Sequence, residues 1–203
     1  MTPPVSQTSN KQLLRRQLRA RRRNFKGLAR QQASKNINHR LAAWFRSHQL
    51  RNIAGYCAFD GEVELDWLMR QSRFKIYLPR VGNNHQLSFH PKSAPRRHYS
   101  QRKPLNRYGI AEPIIARRIS PARIQVILLP LVGFDTQGNR LGMGAGFYDR
   151  FLASCPNRPK TIGVAFSFQQ VETLPTDPWD QPLDAIMTER GLIIPSTNGK
   201  GRA

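Results

Sequence analysis

Val126-Ile127-Leu128-Leu129-Pro130 is a short apolar run closed by proline, and it reads as a buried strand. Just beyond it stands Gly133-Phe134-Asp135-Thr136-Gln137-Gly138-Asn139-Arg140-Leu141-Gly142-Met143-Gly144-Ala145-Gly146-Phe147-Tyr148-Asp149-Arg150. Three glycines at alternate positions, Gly142, Gly144 and Gly146, lead into a helix predicted over residues 147–152. A strand, a glycine-rich turn and a helix start gather successive backbone N–H groups around one point, where the helix dipole also favours negative charge. Arg140 and Arg150 flank the loop as cationic donors, and Asp149 adds a hard oxygen ligand. That combination describes a phosphate-and-magnesium site. Two better-known nucleotide patterns are excluded by spacing. Phe147-Tyr148 stands where the Walker loop needs Lys-Ser or Lys-Thr, and only Ala145 separates Gly144 from Gly146 where the dinucleotide fingerprint needs two residues. Glycines alone are weak evidence, because they also serve tight turns with positive φ, but the combination favours an anion-binding loop over a purely structural turn.

Working outward, strands are predicted over residues 53–59, 74–78, 87–90, 125–129, 161–165 and 185–187, the second of them ending at Pro79. Helices are predicted over residues 10–29, with Asn10 as cap, over 31–47 and from 65 to 69. Residues 91–123, rich in proline and arginine, show no sustained period and read as a long connection. Strands alternating with helices define an α/β class: a single-domain, mainly parallel sheet with helices on both faces, a Rossmann-like three-layer sandwich. The domain spans residues 10–195, between a disordered tail of residues 1–9 and a flexible tail of residues 196–203. In such sheets ligands collect beyond the carboxyl ends of the strands, which gathers residues 59–64, Pro79-Arg80, the glycine loop and Phe166-Ser167 on one rim.

In the first helix Leu14, Leu18 and Phe25 share a face, while Lys11, Arg15, Arg19 and Arg22 line another. Lys11 and Arg15 lie one turn apart, so their tips can converge on one anion. An isolated stripe of this kind would be a solvated basic face, and Arg16 and Arg21 to Arg23 are read that way.

With 203 residues, 39% of them hydrophobic, the chain suits one domain with a real core, and no apolar run approaches the ~20 residues of a membrane span. Two cysteines, Cys57 and Cys155, suggest neither a disulfide framework nor a metal site. Without an apolar signal segment at the N-terminus, a reducing cytoplasm is expected. The net charge of +21 is the anomaly. It helps capture anionic ligands but exceeds what two small anions need, so an RNA-binding protein is the alternative reading. Against it, aromatics make up only 9% and no RNP string is present.

The longer string Phe134-Asp135-x-x-Gly138-x-Arg140-Leu141-Gly142-x-Gly144-x-Gly146-x-Tyr148-Asp149 resembles the signature of the 5-formyltetrahydrofolate cyclo-ligase (5,10-methenyltetrahydrofolate synthetase) family. Lys11-x-x-x-Arg15, Glu62-Val63-Glu64, Leu78-Pro79-Arg80 and Leu183-Asp184-x-x-x-Thr188-Glu189 follow that family's order, so the resemblance covers residues 11 to 194. It implies ATP- and Mg²⁺-dependent closure of 5-formyltetrahydrofolate to 5,10-methenyltetrahydrofolate; a monomer without a membrane partner, open to polyglutamylated substrate, is expected beside it. It assigns Lys11, Arg15 and Arg140 as catalytic and ATP-binding residues, with Leu141, Gly142, Met143, Gly144, Ala145, Gly146, Phe147 and Tyr148 also on ATP. Glu62 and Cys57 would meet the folate, although a small buried core thiol would look identical at Cys57. Phe147 reads equally as flanking the folate or ATP or as anchoring the helix in the core. Asp149 and Asp184 would hold Mg²⁺, directly or through water. Glu64 lies on the same strand face as Glu62, but the resemblance favours Glu62. Members commonly carry a basic or aromatic residue at Met143, glycine or lysine at Ala145 and tyrosine at Phe147; backbone contacts survive those departures, side-chain donors do not. A sugar-phosphate isomerase of similar topology would not need both the Lys11–Arg15 pair and the Arg140 loop. Any RNA association is expected to be weak and non-specific, through the basic surface.

Overall fold

The structure, a computed structural model, describes residues 7–82, 86–92, 109 and 117–196. Helices α1 (Gln7–Asn24) and α2 (Gly27–Ser47) precede strand β1 (Asn52–Ala54), a short helix α3 (Asp66–Met69) and the hairpin of β2 (Lys75–Val81) with β3 (Leu87–Pro91). There follow β4 (Val126–Pro130), a small hairpin of β5 (Gly133–Phe134) and β6 (Arg140–Leu141), and helix α4 (Phe147–Ala153). Strands β7 (Lys160–Val164), β8 (Ala185–Thr188) and β9 (Gly191–Ile193) complete the order. Seven strands form one sheet in the order β3-β2-β1-β4-β7-β8-β9. The five inner strands run parallel, and each edge is an antiparallel hairpin partner. The mainly parallel α/β sheet expected from the sequence is therefore what forms.

The apolar run of β4 is continuous because both its faces are covered. Val126 and Leu128 pack with Ile162 and Val164 against Ile37, Leu41 and Phe45 of α2, while Ile127 and Leu129 pack against Phe151 and Leu152 of α4. From β1 the chain steps to β2 and β3 on one side, then returns to β4 on the other. The strand order thus reverses between β1 and β4, and a crevice opens beyond their carboxyl ends.

Several local expectations are corrected. The first helix ends at Asn24 rather than near residue 29. Phe25 turns inward and meets Phe166 and Phe168 edge-on, at ring distances of 4.9 and 5.3 Å, and Gly27 at φ 67° restarts the chain as α2. Aromatic packing overrides helical propensity there. Asn10 lies inside α1 rather than capping it, and residues 7–9, assigned to the tail, are helical; residues 1–6 and the C-terminal residues 197–203 lie outside the described residues. Most of the connection over 91–123 lies outside them too, and its end forms a 3₁₀ turn, Pro121–Arg123.

β1 stops at Ala54, and the following segment closes on itself through Tyr56 Oη, which donates to Val63 O at 2.9 Å. Asp60 and Gly61, at φ 53° and 78°, make its turn. β2 runs through Pro79 instead of ending there. Lys92 N–H bonds Ile76 O and Gly82 N–H bonds Gln86 O, so even-numbered residues of β2 face β3. The N–H that Pro79 lacks would have faced the β1 side, where β1 has already ended.

Candidate active site

A cavity of about 600 Å³ occupies the crevice at the strand-order reversal. Tyr56 and Cys57 reach it from the end of β1, Pro79 and Val81 from β2, and Pro130 and Leu131 from the end of β4. α1 supplies Lys11 and Arg15, the latter in direct contact with the loop of residues 142–146. The face of α1 turned inward carries Lys11, Arg15, Leu18 and Arg22, residues spaced by four, three and four.

The glycine loop is held open from both sides. Arg15 Nε donates to Gly142 O at 2.9 Å, and Arg150 Nη2 donates to Ala145 O at 2.8 Å while its guanidinium covers the Phe147 ring at 5.6 Å. Gly146 precedes α4 at φ 64° and Gly144 sits at φ 101°, left-handed values that side chains rarely adopt. Arg140, largely buried, donates from Nη2 to Asp149 Oδ1 at 2.6 Å and from Nη1 to Gln181 O. Gln181 N–H also reaches Asp149 Oδ1, at 3.1 Å.

Lys11 Nζ lies 2.7 Å from Asp177 Oδ2 and 2.8 Å from Asp180 Oδ2. Burial works against its charge, but the two carboxylate hydrogen bonds outweigh that and raise its pKa above the ordinary value.

Glu62 sits at the other end of the cavity. Its Oε2 accepts Phe59 N–H at 3.1 Å, and Arg22 Nη1 lies 3.8 Å from its Oε1. Burial pushes the carboxyl up to about 7, with Arg22 and the Phe59 N–H pulling the other way. Tyr56 and Tyr148 beside it are raised too, by burial first and then by the Glu62 charge. Arg22, read from the sequence as part of a solvated basic face, is fully buried. It donates to Asp60 O, Asp60 Oδ2 and Leu131 O at 2.9–3.0 Å, tying α1 to the Glu62 segment and to the end of β4. Arg19 and Arg23 converge on the same Asp60 carboxylate.

Lys11, Arg15, Cys57, Glu62, Arg140, residues 141–148 and Asp149 all line this one cavity. Asp184 does not. It stands just before β8, where Oδ2 accepts the Thr161 N–H and hydroxyl, both at 2.8 Å, with Arg158 at 3.7 Å. Asp184 thus does not stand with Asp149 at the cavity: its carboxylate ties the start of β7 to the start of β8. Among the described residues no group of three or more His, Cys, Asp and Glu side chains could hold a metal. Asp149 alone suits Mg²⁺, which takes one or two carboxylates and completes its shell with phosphate and water oxygens. Both hydrogen bonds of Asp149 among the described residues engage Oδ1, leaving Oδ2 as a hard donor at the wall.

Sequence reasoning missed Asp177, Trp179, Asp180 and Arg22. The signal for the first three was the scarcity of acids: a chain with 12 Asp and Glu against 33 Lys and Arg places two of them around one tryptophan. Nothing local marks Arg22, because three consecutive arginines read alike.

Residues 7–189 match the profile of the 5-formyltetrahydrofolate cyclo-ligase family. The 5-formyltetrahydrofolate cyclo-ligase of Haemophilus influenzae is 35% identical over 188 residues, covering 89% of this chain and 98% of that protein. The Escherichia coli K12 protein of the same name is 34% identical over 182 residues, or 84% and 96% of the two chains. Among solved structures, the 5,10-methenyltetrahydrofolate synthetase of Aquifex aeolicus superposes with a TM-score of 0.79 at 31% identity, covering 95% of each chain. That of Mycoplasma pneumoniae gives 0.69 at 25% identity, covering 89% of this chain and 99% of the other. The chain belongs to the 5-formyltetrahydrofolate cyclo-ligase family.

Proposed function

We propose that this enzyme uses ATP, with Mg²⁺, to close 5-formyltetrahydrofolate to 5,10-methenyltetrahydrofolate. The observation that carries the reading is one cavity holding a phosphate-suited end, formed by Lys11, Arg15, Arg140 and the glycine loop, and a buried carboxylate, Glu62, at the other. The N5-formyl oxygen is a poor leaving group until it is phosphorylated. It attacks the γ-phosphorus, the bond to ADP breaks, and the formyl carbon becomes an iminium phosphate. N10 then attacks that carbon, loses its proton, and inorganic phosphate leaves with the former formyl oxygen.

Such a reaction asks the protein for positioning and charge neutralisation rather than covalent participation. Lys11, Arg15 and the loop N–H groups would hold the triphosphate, and Arg140 would balance charge as the phosphoryl group moves. Asp149 would hold Mg²⁺, which supplies positive charge against the phosphate oxygens. Glu62 would accept paired hydrogen bonds from the pterin 2-amino group and the adjacent ring N–H, fixing the formyl group toward the phosphates. The folate, with its glutamyl tail, and ATP are both anions that the positive field draws in.

The test is the absorbance of the methenyl product. Incubation with 5-formyltetrahydrofolate and Mg-ATP should produce it with one ADP per turnover, and omission of ATP should abolish it. Rapid ATP hydrolysis without folate, and no methenyl product with it, would refute the assignment.

A further inference from the structure

Trp179 is 67% exposed, yet it lines the cavity. Its position is set by polar pins on either side rather than by apolar packing of the indole. Asp177 and Asp180 both grip Lys11, while the next residue, Gln181, is bonded through its carbonyl to Arg140 and through its N–H to Asp149. Asp177 N–H donates to Asp180 Oδ2 and Asp180 N–H to Asp177 O, at 2.9 and 3.0 Å, closing the turn on itself. Pro178 restricts the backbone within that turn. The turn that carries this exposed indole is thus held at the cavity, tethered to Lys11, Arg140 and Asp149.

We propose that Trp179 is the platform on which the adenine ring of ATP stacks, so that residues 177–181 form the nucleotide-holding wall of the site. The inference rests on the reaction proposed above, and the order of the reacting groups carries it. Glu62 and the Lys11–Arg140 region line the same cavity. With the pterin on Glu62, the formyl oxygen would meet the γ-phosphate and the base would trail beyond the α-phosphate, away from Glu62. A base leaving the Lys11–Arg140 region toward the rim meets the exposed indole. Stacking engages the π-face of a base and reads none of its edges, so the platform discriminates weakly among bases.

Binding of ADP and of inorganic tripolyphosphate, which has the phosphates but no base, should be measured calorimetrically on the wild type, Trp179→Ala and Trp179→Phe. Base–aromatic stacking contributes about 1–3 kcal/mol. Trp179→Ala should therefore weaken ADP about 5- to 150-fold and leave tripolyphosphate unchanged, and Trp179→Phe should recover most of the loss. In turnover the KM for ATP should rise while the KM for 5-formyltetrahydrofolate holds. Equal weakening of ADP and tripolyphosphate would overturn the proposal by showing a general disturbance of the phosphate site. Unchanged ADP binding with a raised folate KM would overturn it in favour of the p-aminobenzoyl ring as occupant. The binding comparison needs no turnover, so failure of the proposed reaction would appear separately, in the absorbance assay.

Discussion

Glu62 places a proton between two demands. Burial raises its pKa from 4.5 to about 7, while the recognition of pterin N–H groups proposed for it needs the ionised carboxylate. A carboxyl group raised in this way binds more protons folded than unfolded between those two values. Its contribution to stability is complete below about 4.5 and is lost as pH rises through about 7. Glu62→Gln removes the buried charge and keeps the shape. Its melting temperature should exceed that of the wild type by a few degrees at pH 8, the gap closing toward pH 5. The same variant should raise the KM for folate at least ~10-fold, from the loss of a charged, paired acceptor, and leave ATP affinity intact. In the wild type the folate KM should climb as pH falls below about 7. A variant less stable than the wild type at pH 8 would show instead that the Arg22 attraction outweighs burial.

At the level of elements, the glycine string does two jobs, and only one was legible in advance. Residues 142–146 form the loop read from the sequence, and they line the cavity. Phe134-Asp135-x-x-Gly138, the first part of the same string, builds the β5–β6 hairpin instead, which no periodicity in a two-residue strand could announce. Asp135 is buried at its centre: Oδ1 accepts the Gln137 and Asn139 N–H groups, and Oδ2 accepts Asn139 Nδ2 and Leu174 N–H. Gly138, at φ 85°, has no room for a side chain, since an added Cβ would lie 2.8 Å from both Leu183 O and Pro195 Cγ. Gly138→Ala should therefore cost about 1–3 kcal/mol of stability for its backbone conformation, and more for the clash. A reduced denaturation midpoint with an unchanged KM for ATP would place the effect in the hairpin rather than the loop. The central strands were readable because a strand buried on both faces is apolar without interruption. β9 and the helix break at Phe25 were not, because an edge hairpin and an aromatic contact with residues some 140 positions away leave no local pattern.

Over the whole molecule, several of the 33 cationic side chains behind the +21 charge hold the fold together. Asp60 gathers Arg19, Arg22 and Arg23, and Asp177 and Asp180 share Lys11. A shallow groove lined by Arg15, Arg16, Arg19 and Arg23 adjoins the cavity at Arg15 and Gly144. Such a surface makes an electropositive approach for anions rather than a reader of sequence. Binding to mixed RNA should accordingly be weak and indifferent to sequence. For a contact to six to ten phosphates, raising salt from about 50 to 200 mM costs ~10³–10⁵ in affinity. Arg16→Ser with Arg21→Ser should lower that binding further and spare turnover. One structured RNA that outcompetes bulk RNA at the higher salt would reveal a dedicated partner.

The Lys11 bridge spans 166 residues of chain, which gives the site a history as well as a shape. A ribosome adding roughly 5–20 residues per second needs about 8–33 s to deliver Asp177 after Lys11 has been made. During that interval α1 exists with cationic groups and no acidic residue before Asp60 to answer them. Its first anchor comes with Asp60, through Arg22, and its last with the Asp177–Asp180 turn. The wall proposed to face ATP thus closes only after strands β1 to β7 have been made: in newborn chains nucleotide binding should lag behind assembly of those strands, and nucleotide present at that moment would hasten the closing.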